Sequence, residues 1–236
     1  MEEQKDESKT KITEVTNVIS HQLKSPLAGI KSSLEVLLSG DLGALSPEQH
    51  EYISLALNGA EKMIALVKNI LETSKIDENR LELKTQKTNI TELARSVVRD
   101  LAPFAQAKNT SIDFTSTGDV LELVVDPIKI HEVMENIVIN AIRYNKGKGT
   151  VRVALKKEGD RMVFSCADSG VGISDDDRKK IFTKFYRSPR VIALAPDGSG
   201  LGLYISKAII EKSGGAIWFE SADGKGTTFS FSLPIQ

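Results

Sequence analysis

From about Glu7 to Ser74 the apolar residues recur with a helical period. With Ile19 set at zero and about 100° per residue, Ile12, Val15, Leu23, Leu27, Ile30, Leu34 and Leu37 fall within roughly −40° to +80°. They form one apolar stripe. Gly40 to Leu45 is a glycine-bearing turn. A second helix carries Tyr52, Ala56, Gly59, Met63, Leu66 and Ile70 close to a heptad spacing. Its start is marked by Ser46 as N-cap, Pro47 at the first helical position and Gln49, which closes a capping box. Two helices cannot bury two such stripes by themselves. Pairing with a second copy does, so the pattern predicts an antiparallel helical hairpin that forms a homodimeric four-helix bundle.

The heptad is lost in the charged segment Lys75 to Lys87, which sets a boundary near Ile76 to Arg80 and divides the chain into 1–76 and 77–236. Beyond it the period changes repeatedly. Strands are expected at Leu81–Leu83, Ser111–Thr115, Leu121–Val125, Val151–Leu155 and Met162–Ala167, the last two joined by the turn residues Glu158 to Asp160. Ala216–Glu220 and Thr227–Leu233 read as a hairpin across Asp223 and Gly224. Helices are expected at Ile90–Asn109, at Pro127–Asn145 with proline in its first turn, and at Leu201–Ser213. The fold class is therefore α+β multidomain: the helical hairpin, then an α/β sandwich with one mixed sheet and helices on one face.

Composition narrows the classes. Thirty-one basic and thirty-two acidic residues in a chain of 236 leave almost no net charge, which favours neither nucleic acid nor an anionic membrane surface. The single cysteine, Cys166, cannot make an internal disulfide, and it lies in an apolar run that reads as a buried strand in a reducing compartment. No apolar run approaches the ~20 residues needed to span a bilayer, and no signal peptide is visible. A cytoplasmic chain is expected, with a membrane reached only if a further region precedes this sequence.

On the helical wheel His21 falls at about 200°, opposite the stripe, with Ser25 on the same face. Pro26 removes the backbone donor to the carbonyl of Gln22, a local cost that suggests a role for this segment. Toward the other end lie groups suited to a nucleotide. Asp168 ends a strand, where it can accept a hydrogen bond from the exocyclic amine of adenine, and Gly170 and Gly172 let the backbone turn closely against the base. The run GSGLGL, Gly198 to Leu203, leads into a helix whose N-terminus favours anionic oxygens. Asn136 and Asn140 lie one helical turn apart, and amide oxygens are suitable neutral ligands for Mg²⁺. Arg143 and Tyr144 follow within reach of phosphate and sugar.

SHQLKSPLAGIKSSLEVL resembles the H-box of sensor histidine kinases, usually S-H-E-[LF]-[RK]-T-P-L. NIVINAIRY, DSGVGI, FTKFYR and GSGLGL resemble, in order, the N-, G1-, F- and G2-boxes of the kinase catalytic domain. That domain belongs to a wider superfamily with gyrase, heat-shock chaperone and mismatch-repair ATPases. The resemblance covers about Thr16 to Pro234. It implies that His21 is the phosphoacceptor and that Asn140 ligates Mg²⁺, with Asn136 beside it as a further catalytic and nucleotide-binding residue. It implies also that Asp168, Gly170, Gly172 and Ile173 hold adenine, while Gly198, Ser199, Gly200, Leu201, Gly202 and Leu203 frame the phosphates. Phe182 and Phe185 form the F-box, with Lys184 and Arg187 near the nucleotide. GKGTTF resembles the final glycine turn and puts Thr227 behind Asp168. Ser188 to Asp197 corresponds to a mobile lid over the nucleotide.

Two positions depart from the pattern. The family's carboxylate after the histidine is Gln22 here; an amide can orient an imidazole but cannot act as its base. The family's Thr or Asn four residues after the histidine is Ser25, whose hydroxyl can position water. The implied activity is ATP-dependent autophosphorylation on His21, followed by transfer to an aspartate of a response-regulator receiver domain and, in reverse, its dephosphorylation. Two rivals are a dimeric scaffold that binds ATP without transfer, for which Gln22 argues, and a gyrase-type ATPase clamp, which has no use for the histidine stem.

Overall fold

The computed structural model describes residues 22–117 and 121–235. His21, and with it the earlier part of the expected first helix, lies outside the described residues. The chain divides into two compact units that meet between Arg80 and Leu81.

The first unit holds two helices, α1 over residues 22–39 and α2 at Pro47–Asp77. Helix α1 runs through Pro26. Between them Gly40 and Gly43 take positive φ, 83° and 118°, and Gly43 N–H donates to the Gly40 carbonyl at 3.0 Å. The expected capping box is present: Gln49 N–H donates to Ser46 Oγ at 3.2 Å, and Ser46 N–H to Gln49 Oε1 at 2.8 Å.

The buried side of α2 differs from the heptad expectation. Ala60 and Val67 are buried, whereas Tyr52, Met63 and Leu66 of the expected stripe are 72%, 48% and 43% exposed. On α1, Leu27 is buried while Leu23 and Ile30 stay exposed. On α1 the exposed Leu23 and Ile30 belong to the same stripe as buried Leu27, so on each helix part of the apolar surface is uncovered in a single chain. One hairpin provides only one helix–helix seam, so the uncovered part needs another surface.

In the second unit the order is β1 (Gln86–Asn89), α3 (Ile90–Ala107), β2 (Thr110–Thr117), β3 (Glu122–Val125), α4 (Pro127–Arg143), β4 (Gly149–Glu158) and β5 (Arg161–Asp168). It continues with α5 (Asp175–Arg178), α6 (Pro189–Leu194), α7 (Gly202–Lys212), β6 (Ala216–Ser221) and β7 (Thr227–Pro234). Five strands form a mixed sheet in the order β2-β4-β5-β7-β6, with β2 parallel to β4 and the other pairs antiparallel. The expectation of one sheet is refined here, because β3 pairs with β1 in a separate two-stranded ribbon. The short strand expected at Leu81–Leu83 is absent. Those residues are irregular, and the strand forms at Gln86–Asn89, where β3 offers a partner. A strand needs a neighbour, which alternation alone does not supply.

Helices α3, α4 and α7 cover one face of the large sheet, as expected. On that face register aligns Val153, Cys166 and Phe229, then Leu155, Phe164 and Phe231, all buried. The Phe164 and Phe231 rings stack with centroids 4.9 Å apart. Burial pushes the Cys166 thiol well above its ordinary value, so it stays protonated in this core. Asp126 caps α4, its Oδ1 accepting from Ile128 and Lys129 N–H, while its Oδ2 accepts from Lys84 N–H. Among the described residues no helix is long and apolar enough to cross a membrane.

Candidate functional site

The last residue of β5, Asp168, anchors the site. Its Oδ1 accepts from Gly170 N–H at 2.8 Å and from Thr227 N–H at 3.2 Å. Burial pushes its carboxyl up to about 6, against the opposing pull of these two donors. Both donors meet one oxygen, so the other is available to a ligand's donor. The turn after β5 is held just as closely. At Gly172, with φ +69°, a Cβ would lie 2.1 Å from the Ala222 carbonyl oxygen. Only glycine fits this approach of the two turns. Across the same seam Gly224 N–H donates to the Val171 carbonyl at 2.8 Å.

Ser221, at the end of β6, was not singled out from sequence, yet it knits this corner. Its Oγ accepts from Ile173 N–H at 2.9 Å, donates to the Gly226 carbonyl at 2.9 Å and lies 2.9 Å from Thr227 Oγ1. No local pattern marks a serine at a strand end as such a node.

Helix α4 supplies the opposite wall. Asn136 and Asn140 are half-buried on one face, and Asn140 Nδ2 donates to Asn136 Oδ1 at 3.5 Å. Asn136 Nδ2 in turn donates to Ser206 Oγ at 2.9 Å, so this side chain braces α4 against α7. The helices approach so closely at Gly202 that a Cβ there would sit 2.3 Å from Asn136 Oδ1. Arg143 is exposed, and Tyr144 is half-buried. At this end of α4 burial pushes the Tyr144 hydroxyl up, opposed by the charges of Arg187 and Arg143. There Ser169 Oγ donates to Asn145 Oδ1 at 2.9 Å and accepts from Thr150 N–H at 2.9 Å.

The segment between Phe182 and Leu203 divides its expected roles. Phe182 joins an aromatic cluster, 6.1 Å from Phe219 and 6.4 Å from Phe229, whereas Phe185 is 65% exposed with φ 60°. Lys184 Nζ sits 5.0 Å from the Tyr204 ring centroid. Arg187 donates to the carbonyls of Ala195, Pro196 and Gly198, the latter two at 2.7 and 2.9 Å. Its guanidinium therefore ties down the far half of the lid segment. Within the lid, residues of α6 form one short helix capped by Ser188, and Arg190 pairs with Asp223 in the β6–β7 turn. Gly198, Ser199 and Gly200 are half-buried, and Ser199 Oγ accepts from Leu201 N–H at 3.3 Å. Leu201 is fully buried, so its side chain packs in the core; Gly202 and Leu203 begin α7 half-buried.

Asp168, Gly170, Gly172, Ile173 and Thr227 are thus gathered at one corner, and Asn136, Asn140, Gly202 and Ser206 at the α4–α7 seam. Gln22 and Ser25 lie exposed on α1, in the other unit. A half-buried carboxylate oxygen suits an amine donor, and the start of α7 suits anionic oxygens. The Asn140 carbonyl is a hard oxygen donor of the kind Mg²⁺ takes. Among the described residues no cluster of three His, Cys, Asp or Glu could hold a metal ion. A cation here would lean on the amide oxygen and on a nucleotide's own phosphates, which the residues present fit.

Comparison with known proteins agrees with this geometry. Residues 125–236 match the family described as histidine kinase-, DNA gyrase B-, and HSP90-like ATPase, and residues 11–79 the His Kinase A (phospho-acceptor) domain. The chain is 30% identical over 220 residues to the circadian input-output histidine kinase CikA of Synechococcus elongatus, across 92% of this chain and 29% of that protein. It therefore spans less than a third of that relative's length. Full-length ShkA in complex with AMPPNP superposes with a TM-score of 0.77 at 26% identity, over 94% of this chain and 45% of that one. ThkA in complex with the response regulator protein TrrA gives 0.64 at 27% identity, over 100% of this chain and 65% of that one. Carrying a phospho-acceptor domain followed by an ATPase-type domain, the chain belongs to the sensor histidine kinases.

Proposed function

We propose that this chain is the cytoplasmic transmitter of a two-component sensor: it binds ATP in the second unit, transfers the γ-phosphoryl group to His21, and passes it to an aspartate on a response-regulator receiver domain. The observation that carries the reading is Asp168, a half-buried carboxylate with one oxygen held by two backbone N–H groups, in a chain whose other unit is a phospho-acceptor stem. Asp168 accepts the adenine amine, with Gly170, Gly172, Ile173 and Thr227 around the base. The backbone from Gly198 to Leu203 meets the phosphates. Arg143, Tyr144 and Lys184 border the nucleotide, and Arg187 holds the lid that covers it.

In the transfer, a neutral imidazole nitrogen of His21 attacks the γ-phosphorus in line, the bond to the β–γ bridging oxygen breaks, and ADP leaves with that oxygen. Gln22 orients the ring through its amide, and the imidazole proton departs to solvent. Asn140 Oδ1 would help hold Mg²⁺, which when bound would neutralise phosphate charge. Ser25 suits the reverse step, placing a water for hydrolysis of the phosphorylated regulator. The uncovered apolar sides of α1 and α2 support assembly as a homodimer through residues 1–76, with 77–236 as the catalytic domain. ThkA, a relative crystallised with a response regulator, supports that class of partner.

Incubation with γ-labelled ATP and Mg²⁺ tests the reading. Acid-labile, base-stable label on wild type that vanishes in His21→Ala is expected. Nucleotide binding without label would instead favour the scaffold that Gln22 suggests, and phosphate release without label a clamp-type ATPase.

A further inference from the structure

We propose that Ser206 is a positioning residue for the metal–nucleotide site, its hydroxyl fixing the amide of Asn136 so that Asn136 turns the carbonyl of Asn140 toward the cation. The proposal rests on Asn140 being the cation's ligand. Ser206 lies four residues into α7 and is 2% exposed.

Two asparagines one turn apart pose an orientation problem. An asparagine amide has an oxygen end and an NH₂ end of nearly the same shape but opposite polarity. The pair can bond with Asn140 donating to Asn136, which leaves the Asn140 oxygen for a cation. It can also bond the other way round, which presents NH₂ hydrogens to the cation and repels it. Nothing within α4 chooses between the two. The choice comes from α7.

Asn136 spans one turn of that helix. Its Nδ2 donates to Ser206 Oγ at 2.9 Å, and its Oδ1 lies at Gly202, where a Cβ would approach to 2.3 Å. Gly202 and Ser206 are four residues apart, hence on one face of α7. The first turn of a helix exposes unpaired N–H groups and the positive end of the dipole, so it favours an amide oxygen over an amide NH₂. The hydroxyl one turn deeper accepts from the other end. The helix start therefore selects the orientation of Asn136, the serine hydroxyl, able to donate or accept, holds it there by accepting from the NH₂ end, and Asn136 Oδ1 then accepts from Asn140 Nδ2 at 3.5 Å. The relay also joins the metal ligand to the helix that the glycine run 198–203 leads into.

The test compares wild type, Ser206→Ala and Ser206→Thr by calorimetric titration of ATP, in EDTA and across a Mg²⁺ series. For Ser206→Ala we expect an ATP Kd in EDTA within about twofold of wild type, and a Mg²⁺ concentration for half-maximal tightening raised about tenfold. Ser206→Thr, which keeps the hydroxyl, restores the wild-type Mg²⁺ dependence. An unchanged Mg²⁺ dependence in Ser206→Ala, or an equal loss with and without metal, overturns the proposal. Should Ser206→Ala not fold, nuclear Overhauser contacts in metal-free wild type decide the matter. Asn136 amide protons near the Ser206 β-protons support the relay; the same protons near the Gly202 α-protons mean the flipped amide and overturn it. Asn140→Ala serves as the control on the underlying reading. If it binds Mg-ATP as wild type does, Asn140 is not the ligand and this proposal goes with that assignment, an outcome distinct from a failure of Ser206 alone.

Discussion

Thr227 N–H donates to Asp168 Oδ1 across 3.2 Å, joining the start of β7 to the end of β5, fifty-nine residues earlier. With Gly170 N–H on the same oxygen, this bond sets the carboxylate's orientation before any ligand arrives. Its burial makes the carboxyl costly to ionise.

Adenine-nucleotide affinity should therefore depend on pH. The folded carboxyl titrates at about 6, above its ordinary 3.8. The folded state thus holds this proton more tightly than the unfolded chain does. The burial cost appears as pH rises from 3.8, is complete above 6, and is relieved as pH falls. Binding runs the other way, because the protonated acid is a weaker acceptor. ATP Kd should rise as pH falls from 7.5 to 5.5 in wild type, while Asp168→Asn binds about 10- to 100-fold more weakly at pH 7.5 and shows little further change. Fluorescent-nucleotide titration over that range measures both.

Ser221→Ala should loosen the corner that Asp168 occupies. It strands Ile173 N–H and the Gly226 carbonyl, which Ser221 Oγ serves at 2.9 Å each. A loss of about 1 kcal/mol, the low end for stranded polar groups, is expected because these groups are only half-buried. Urea unfolding of the second unit and ATP Kd would both move; a change in neither contradicts the bracing role.

Replacing Gln22 by glutamate supplies a group able to take the imidazole proton. Autophosphorylation of Gln22→Glu should be faster by about tenfold, below the roughly 10²–10⁴-fold that a fully positioned base contributes. Initial rates with labelled ATP decide it, and an equal or slower rate contradicts the role given to this position.

Assembly should depend on the uncovered side of the stem. Leu23 and Ile30 of α1, and Met63 and Leu66 of α2, are each more than two-fifths exposed. The pair Met63→Glu and Leu66→Glu places charge on that side while leaving the buried Ala60 and Val67 untouched. Sedimentation should find dimers for wild type and monomers for the double variant. A dimeric variant would move the interface elsewhere.

Arg187→Ala should free the far half of the lid, since the guanidinium holds the carbonyls of Ala195, Pro196 and Gly198. Amide exchange across 188–197 is expected to accelerate and nucleotide to leave faster, with the core strands unchanged. Exchange mass spectrometry and stopped-flow release check the two effects.

Much of the architecture was legible because its causes are local. The Ser46–Gln49 box, the proline at the start of α4 and the glycine turn at Gly40 to Gly43 act within a few residues, and the helices begin and end where they say. Alternation located β4, β5, β6 and β7 within a residue or three. At Leu81 to Leu83 the same signal misled, since the strand began five residues later, at Gln86, where β3 offered hydrogen bonds. The heptad on α2 was real as a pattern, but it marked the side left uncovered, and the hairpin closes on Ala60 and Val67 instead.

By itself the order of residues determined the helical stem, the sandwich and the motifs that suggest a nucleotide, because spacing along a helix or strand is geometry that neighbours enforce. Only the tertiary structure decided that Arg187 ties down the segment after it, that Ser221 knits the corner at Asp168 and that Ser206 braces Asn136. Those bonds join groups as far as seventy residues apart in the chain. A hydrogen bond is chosen by which donors and acceptors the packed helices and sheet bring within about 3 Å. No local period encodes that.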